Sequence, residues 1–182
     1  MRKRRKVALI KDRLVAIENE AEYKRNIGSV KAKRIKIGLP SVVFDLWVDK
    51  HYCDRSLFGD ENGSRSGIEP KVVEELVTES LKYLVTYGSL LESFSFLNNG
   101  LSGERFKRIV LQRENETGKL SVVIEIHLVN ESTFEVTVKT AMKVDDFRIG
   151  DGQYIIAIID DKSILRKMRD GRMVNVCNCN SL

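Results

Sequence analysis

The sequence predicts an α+β protein in which N-terminal helices pack on one face of an antiparallel sheet of about four strands. Apolar residues repeat every three to four positions before residue 90 and every two positions after residue 104. Short polar turns separate the segments that have the two-residue repeat, which favours antiparallel neighbours. Apolar residues make up 42% of the 182 residues, which is enough for one ordinary core beside a basic extension.

The first element is a basic arm, residues 1–36, predicted to be helical over residues 5–25 because apolar residues from Val7 to Ile17 lie three or four apart. The arm holds 13 Lys or Arg and 4 Asp or Glu, a balance of +9, whereas residues 37–182 hold 18 and 22, a balance of −4. Such an arm attracts phosphate backbones, and it also suits an acidic protein partner or a solvated helix. The candidate nucleic-acid-binding residues are Arg2, Lys3, Arg4, Arg5, Lys6, Lys11 and Arg13.

The α+β domain is expected over residues 37–182. Residues 41–48 (SVVFDLWV) are nearly continuously apolar and fit either a short buried strand or the start of a helix, and residues 49–58 are expected to be helical. The clearest helix begins at Pro70, carries one wide apolar face, and is predicted to end at Gly88.

Four strands are predicted after this helix, at residues 104–115, 119–129, 133–144 and 154–160. Residues 162–171 (KSILRKMRDG) are predicted to form a short closing helix, and residues 172–182 a strand or a tail.

Alternation sorts the second and third strands into two faces. Glu125 and His127 fall on the polar face of the second strand. In the third strand, Thr137 and Lys139 are polar, whereas Thr140 is expected on the apolar face with Val136 and Val138. Two registers stay open: one places Glu125 opposite Lys139 and His127 opposite Thr137, and the other places His127 opposite Glu135. The polar face is either a solvent-exposed surface or a cleft suited to phosphodiester cleavage, where histidine moves protons and a cation stabilises phosphate charge.

Another candidate site precedes the clearest helix. On a helix, His51, Asp54 and Arg55 share a face, and Arg65 follows after a loop. The pattern His51-x-x-Asp54-Arg55, then Arg65-x-Gly67-Ile68, then a helix and a strand meander, resembles the RelE-like endoribonucleases and toxins of the barnase–colicin–RelE fold, including the phage-type RegB-like branch. The segment FEVTVKTAMKVDDF (134–147) resembles a late strand of that group.

The resemblance implies catalytic roles for His51, Arg55, Arg65 and Thr140, with Lys139 beside them; His127 and Lys139 also come from the polar face described above. It implies a small, metal-independent hydrolase, a cytoplasmic nuclease that cleaves RNA by general acid–base chemistry and pairs with an inhibitor or antitoxin protein. The alternative is a non-enzymatic module that binds nucleic acid or a protein through the basic arm.

No metal or cofactor is expected. His51 and Cys53, with Cys177 and Cys179, supply four residue types that zinc accepts, but the one-residue spacings differ from those of common zinc motifs. Three cysteines are too few for a disulfide framework and favour a reducing compartment. No apolar run approaches the roughly 18 residues of a membrane helix, so no membrane partner is expected.

Overall fold

The computed structural model describes residues 4–7, 14–16, 33–36, 43–49, 68–98, 106–115, 118–130, 133–160 and 162–180. These residues contain one helix, α1 (Pro70–Leu90), and eleven strands. The strands are β1 (Arg4–Val7), β2 (Leu14–Ala16), β3 (Lys33–Lys36), β4 (Val43–Asp49), β5 (Leu97–Asn98), β6 (Ile109–Asn115), β7 (Gly118–Asn130), β8 (Thr133–Lys143), β9 (Tyr154–Ile159), β10 (Lys162–Arg169) and β11 (Arg172–Cys179).

All the described strands belong to one mixed sheet. Its order is β11-β10-β9-β6-β7-β8-β4-β1-β2, with β3 paired to β4 and β5 paired to β7. The pairs β4–β8, β5–β7 and β6–β9 are parallel, and the other pairs are antiparallel. The predicted fold class, several N-terminal helices on an antiparallel sheet of about four strands, is therefore wrong, because the sheet is larger and mixed and one described helix covers it.

Helix α1 lies against one face of the sheet, across β6 and β9. Pro70 occupies its first turn, as predicted, where a missing N–H costs little. The helix continues past Gly88 to Leu90, so the predicted end was two residues early. A Cβ at Gly88 would lie 2.7 Å from Phe96 Cε1, which shows that this glycine allows a close approach rather than a helix stop. Among the described residues, no helix has the length and apolar character needed to cross a membrane.

The N-terminal region contributes strands where a helix was predicted. Within residues 5–25, the described segments are β1 and β2, which pair with each other, and β1 also pairs with β4. β4 confirms the strand alternative for residues 41–48, and its parallel pairing with β8 explains the continuous apolar run, since strands buried on both faces lose their alternation.

The C-terminal region folds as two hairpins. Residues 162–169 form β10 and not the predicted helix, and β11 follows it antiparallel. Asp170 and Gly171 both have positive φ values, 49° and 71°, as the tight turn of a hairpin requires. The Asp-Gly pair was therefore the sequence signal for a hairpin, and it outweighs the weak helical spacing of residues 162–169.

Candidate functional site: a buried polar face and a cationic groove

The face of the sheet opposite α1 is polar at its centre. Asp45, Glu135 and His127 lie side by side on β4, β8 and β7, and they are 0% exposed. The next row holds Trp47, Thr137 and Glu125, which are 1%, 0% and 3% exposed. Three carboxylates, those of Asp45, Glu135 and Glu125, are therefore buried on this face.

The register between β7 and β8 brings these residues together. Glu125 faces Thr137 and His127 faces Glu135, which is the second of the two registers that alternation left open. A bulge follows, because Ile124 pairs with Val138 whereas Val123 pairs with Thr140.

The bulge leaves Lys139 as an extra residue in the register with β7. It also places Thr140 on the same face as Val123, which is the face of the sheet away from α1. The prediction that Thr140 shares the apolar face with Val136 and Val138 is therefore wrong. Lys139 and Thr140 both lie on the polar side of the sheet.

Glu125 is surrounded by cationic and hydrogen-bonding groups. Arg108 Nε lies 3.0 Å from Glu125 Oε1, and Lys139 Nζ and His127 Nε2 each lie 3.8 Å from Oε2. Burial favours the neutral acid and is the largest single influence on the pKa of Glu125. His127, Lys139 and Arg108 together outweigh burial and lower this pKa to about 2, so Glu125 is ionised at neutral pH.

His127 is closed off from solvent. Its side chain is 0% exposed, and the ring of Phe106 packs against it edge to face, with 5.3 Å between ring centroids. Among the described residues, neither ring nitrogen has a partner within hydrogen-bond distance. The histidine, carboxylate and lysine of the predicted cleft are thus close together, but they line neither an open cleft nor a solvent-exposed surface.

A groove of about 530 Å³ lies beside this buried face, where the parallel strands β6 and β9 begin. Its polar lining includes Ser93, Ser95, Lys107, Arg108, Tyr154 and Lys167. The volume is within the range of small-ligand pockets. Phe106, which is 37% exposed, lines the groove and also packs against His127.

Hydrogen bonds hold the groove cations in place. Lys107 Nζ donates to Ser95 Oγ at 2.8 Å, and Lys167 Nζ donates to the Tyr154 hydroxyl at 3.2 Å. The Tyr154 hydroxyl in turn donates to the carbonyl of Ser93 at 3.2 Å. Arg108 contributes the third positive charge, so three cations and one carboxylate, Asp151, line the groove.

Sequence reasoning missed this groove because its residues come from four separate segments. The available signals were the Phe106-Lys107-Arg108 run before a strand and the turn at residues 150–153, where Gly152 has a φ of 78°. Neither signal is specific alone, and only the parallel β6–β9 pairing places the two segments side by side.

Several predicted site residues lie outside the described residues. These are His51, Arg55, Arg65, Arg2, Lys3, Lys11 and Arg13. Arg4, Arg5 and Lys6 are in β1. The catalytic roles assigned to His51, Arg55 and Arg65 and the nucleic-acid-binding role assigned to the basic N-terminal residues remain predictions.

The possible zinc site is only partly covered by the structure. His51 and Cys53 lie outside the described residues, and Cys177 and Cys179 are free thiols on β11. Within the described part of the chain, no group of three or more His, Cys, Asp or Glu side chains is arranged to hold a metal ion.

Comparison with known proteins leaves the RelE-like resemblance as a prediction that rests on the motifs alone. No family model, no curated protein and no solved structure that was compared with this chain gave a match.

Proposed function

We propose that this protein binds RNA, that the groove beside β6 and β9 holds its phosphates, and that the protein acts as a binding module. The observation that carries the proposal is the convergence of Lys107, Arg108 and Lys167 on one groove that also contains an aromatic ring. Residues 37–182 have a net charge of −4, so three cations against one carboxylate are a local concentration of positive charge and not the average of the domain.

The chemistry of the groove suits a nucleic acid strand. Lysine and arginine side chains bind phosphate oxygens, and arginine does so with two parallel hydrogen bonds where its geometry allows. The ring of Phe106 offers a surface on which an unpaired base stacks, whereas the hydroxyls of Ser93 and Ser95 suit sugar or phosphate oxygens. A single strand satisfies all three kinds of group.

The basic N-terminal region supports the same partner. Its charge balance of +9 favours binding to phosphate backbones through counterion release, whatever the RNA sequence. Part of this basic region is β1, which pairs with β4. We also propose that the protein is located in the cytoplasm, because the two thiols on β11 are free and cytoplasmic thiols are kept reduced.

A second candidate function is RNA cleavage of the RelE-like type, with an inhibitor or antitoxin protein as partner. His127 and Lys139 each lie 3.8 Å from the ionised carboxylate of Glu125, and together the three side chains are of the types that such chemistry uses. This candidate ranks second because His127 and Glu125 are buried beneath Phe106 and Arg108 in this structure.

Binding is tested by fluorescence anisotropy with labelled single-stranded RNA at several salt concentrations. The double variant Lys107→Ala/Lys167→Ala is compared with Lys143→Ala/Lys162→Ala, which removes the same charge from exposed positions outside the groove lining. We expect the groove variant to bind RNA at least about tenfold more weakly than the control variant. The magnitude of its slope of log K against log salt should be smaller by about 1.4, which corresponds to the loss of two phosphate contacts on a single strand. Equal binding by the two double variants would refute the groove as the RNA site.

Cleavage is tested with the same RNA in EDTA. The wild-type chain is compared with His51→Ala and with His127→Gln, after thermal melting has shown that each variant folds. RNA that stays intact with the wild-type chain supports the binding module. Fragments that appear with wild type and disappear with either variant would place the second candidate first.

A further inference from the structure

Cys177 and Cys179 lie on the same side of β11. They pair with Leu165 and Ser163 of β10, and both thiols pack against the core between α1 and the sheet. Each thiol is partly buried. Two of the three cysteines of the chain are therefore neighbours on one face of a strand.

Strand geometry favours a bridging ion over a disulfide at this position. Residues two apart on an extended strand have Cα atoms about 6.8 Å apart, at the upper limit for a disulfide, whose sulfur atoms are only about 2 Å apart. An ion held linearly between two thiolates separates the sulfur atoms by about 4.6 Å, twice a typical metal–thiolate bond. The second distance is closer than the first to the spacing of two side chains on one side of a strand, so an ion requires less displacement of the thiols than a disulfide does.

The backbone next to the pair is already adapted to this arrangement. The β10–β11 register shifts after Leu165, whose partner is Cys177, whereas Arg166 pairs with Asn175. The shift leaves Val176 as an extra residue, and Val176 and Cys177 both pack against the core. The bulge thus directs Cys177 inward, on the same side as Cys179.

A tyrosine hydroxyl stands next to the pair. Tyr87 of α1 donates to the carbonyl of Ser163 at 2.8 Å, and Ser163 is the β10 partner of Cys179.

We propose that Cys177 and Cys179 form a two-coordinate binding site for a soft monovalent cation, of which Cu(I) is the representative. Thiolate ligands select soft ions such as Cu(I), and a two-coordinate site needs no third protein ligand. Binding forms two sulfur–metal bonds, breaks two S–H bonds and releases two protons to solvent, with no change in the oxidation state of either partner. The site is independent of RNA binding.

Cu(I) affinity is measured without oxygen, by titrating the full chain with Cu(I) in competition with a colorimetric Cu(I) chelator. We expect one equivalent per chain, and at least about a hundredfold loss of affinity in Cys177→Ser and in Cys179→Ser. Cys53→Ser is the matched control and keeps the wild-type affinity. Affinity also rises with pH between 6 and 8, because each thiol must lose its proton.

A second measurement keeps the proposal testable if a serine variant folds poorly. Peptide mapping after treatment with iodoacetamide compares the wild-type chain with and without one equivalent of Cu(I), and we expect protection of Cys177 and Cys179 together. Unchanged Cu(I) affinity in Cys177→Ser would overturn the proposal. Alkylation of the pair at full rate in the presence of Cu(I) would also overturn it, as would binding of one Zn(II) in place of Cu(I).

Discussion

Arg108 joins the groove to the buried polar face through Glu125, with 3.0 Å between Arg108 Nε and Glu125 Oε1. The arginine side chain is 50% exposed, whereas that of the glutamate is 3% exposed. One guanidinium therefore faces a ligand site on one side and an ionised buried carboxylate on the other. A change in the charge of the groove should therefore alter the electrostatic environment of Glu125, and with it that of Lys139 and His127, which contact the same carboxylate.

The first prediction concerns acid stability. The pKa of Glu125 is about 2 in the folded chain, compared with 4.5 for a glutamate without these partners, as in the unfolded chain. Folding therefore favours the ionised form. The resulting stabilisation is fully present above pH 4.5 and is lost as the pH falls through 2, up to about 3 kcal/mol. In Glu125→Gln, urea unfolding between pH 5 and pH 2.5 should show a clearly smaller loss of stability than in wild type. An identical pH dependence in both proteins would contradict the assignment.

The second prediction separates Arg108 from Lys107. We expect Arg108→Ala to weaken RNA binding and also to lower the free energy of unfolding at neutral pH by about 1–2 kcal/mol, because Glu125 loses its closest cation. Lys107→Ala should weaken binding alone, since Lys107 is exposed and hydrogen-bonds to Ser95. Urea unfolding and anisotropy on the same preparations measure both effects. Equal stability of the two variants would show that Arg108 does not stabilise the buried carboxylate.

The third prediction concerns the close approach of Gly88 and Phe96. Alanine favours a helix over glycine by up to about 1 kcal/mol, but its Cβ would lie 2.7 Å from the Phe96 ring. We therefore expect Gly88→Ala to destabilise the wild-type chain and to stabilise the Phe96→Ala chain. A double-mutant cycle of unfolding free energies measures this coupling. The same sign of effect in both backgrounds would mean that the ring moves aside freely.

The fourth prediction concerns Tyr87, whose hydroxyl is buried and donates to the Ser163 carbonyl. At neutral pH, Tyr87→Phe should cost about 1 kcal/mol, because that carbonyl loses its donor. Burial raises the pKa of Tyr87 from 10 to about 12, so the folded chain retains a proton that the unfolded chain releases. The advantage of wild type over the variant should therefore shrink as the pH rises from 10 to 12. Unfolding free energies across this range would test the prediction, and a constant difference would speak against it.

Local sequence patterns identified the elements that depend on one segment alone. Alternation predicts the strands β6, β7 and β8, and a short, fully apolar run predicts β9. The wide apolar face and Pro70 predict α1. The prediction that Glu125, His127, Thr137 and Lys139 gather on one face was also correct in outline, because alternation fixes the side of each residue within a strand.

Local patterns failed where partners distant in sequence decide the outcome. Residues 162–169 have a weak helical spacing, but pairing with β9 on one side and β11 on the other makes them a strand. Residues 4–7 and 14–16 likewise form strands by pairing with each other and, for β1, with β4. Propensity is a small term, and the hydrogen bonds and packing of a neighbouring strand override it.

The residue types of the buried polar face, the basic N-terminal charge and the strand periodicity can all be read from the sequence. The bulge at Lys139, which brings Thr140 to the polar side, and the burial of His127 behind Phe106 depend on the tertiary structure. The tertiary structure alone assembled the groove, because the parallel pairing of β6 with β9 joins segments about 45 residues apart. Register and parallel pairing depend on contacts between distant segments, which no local pattern in a single sequence encodes.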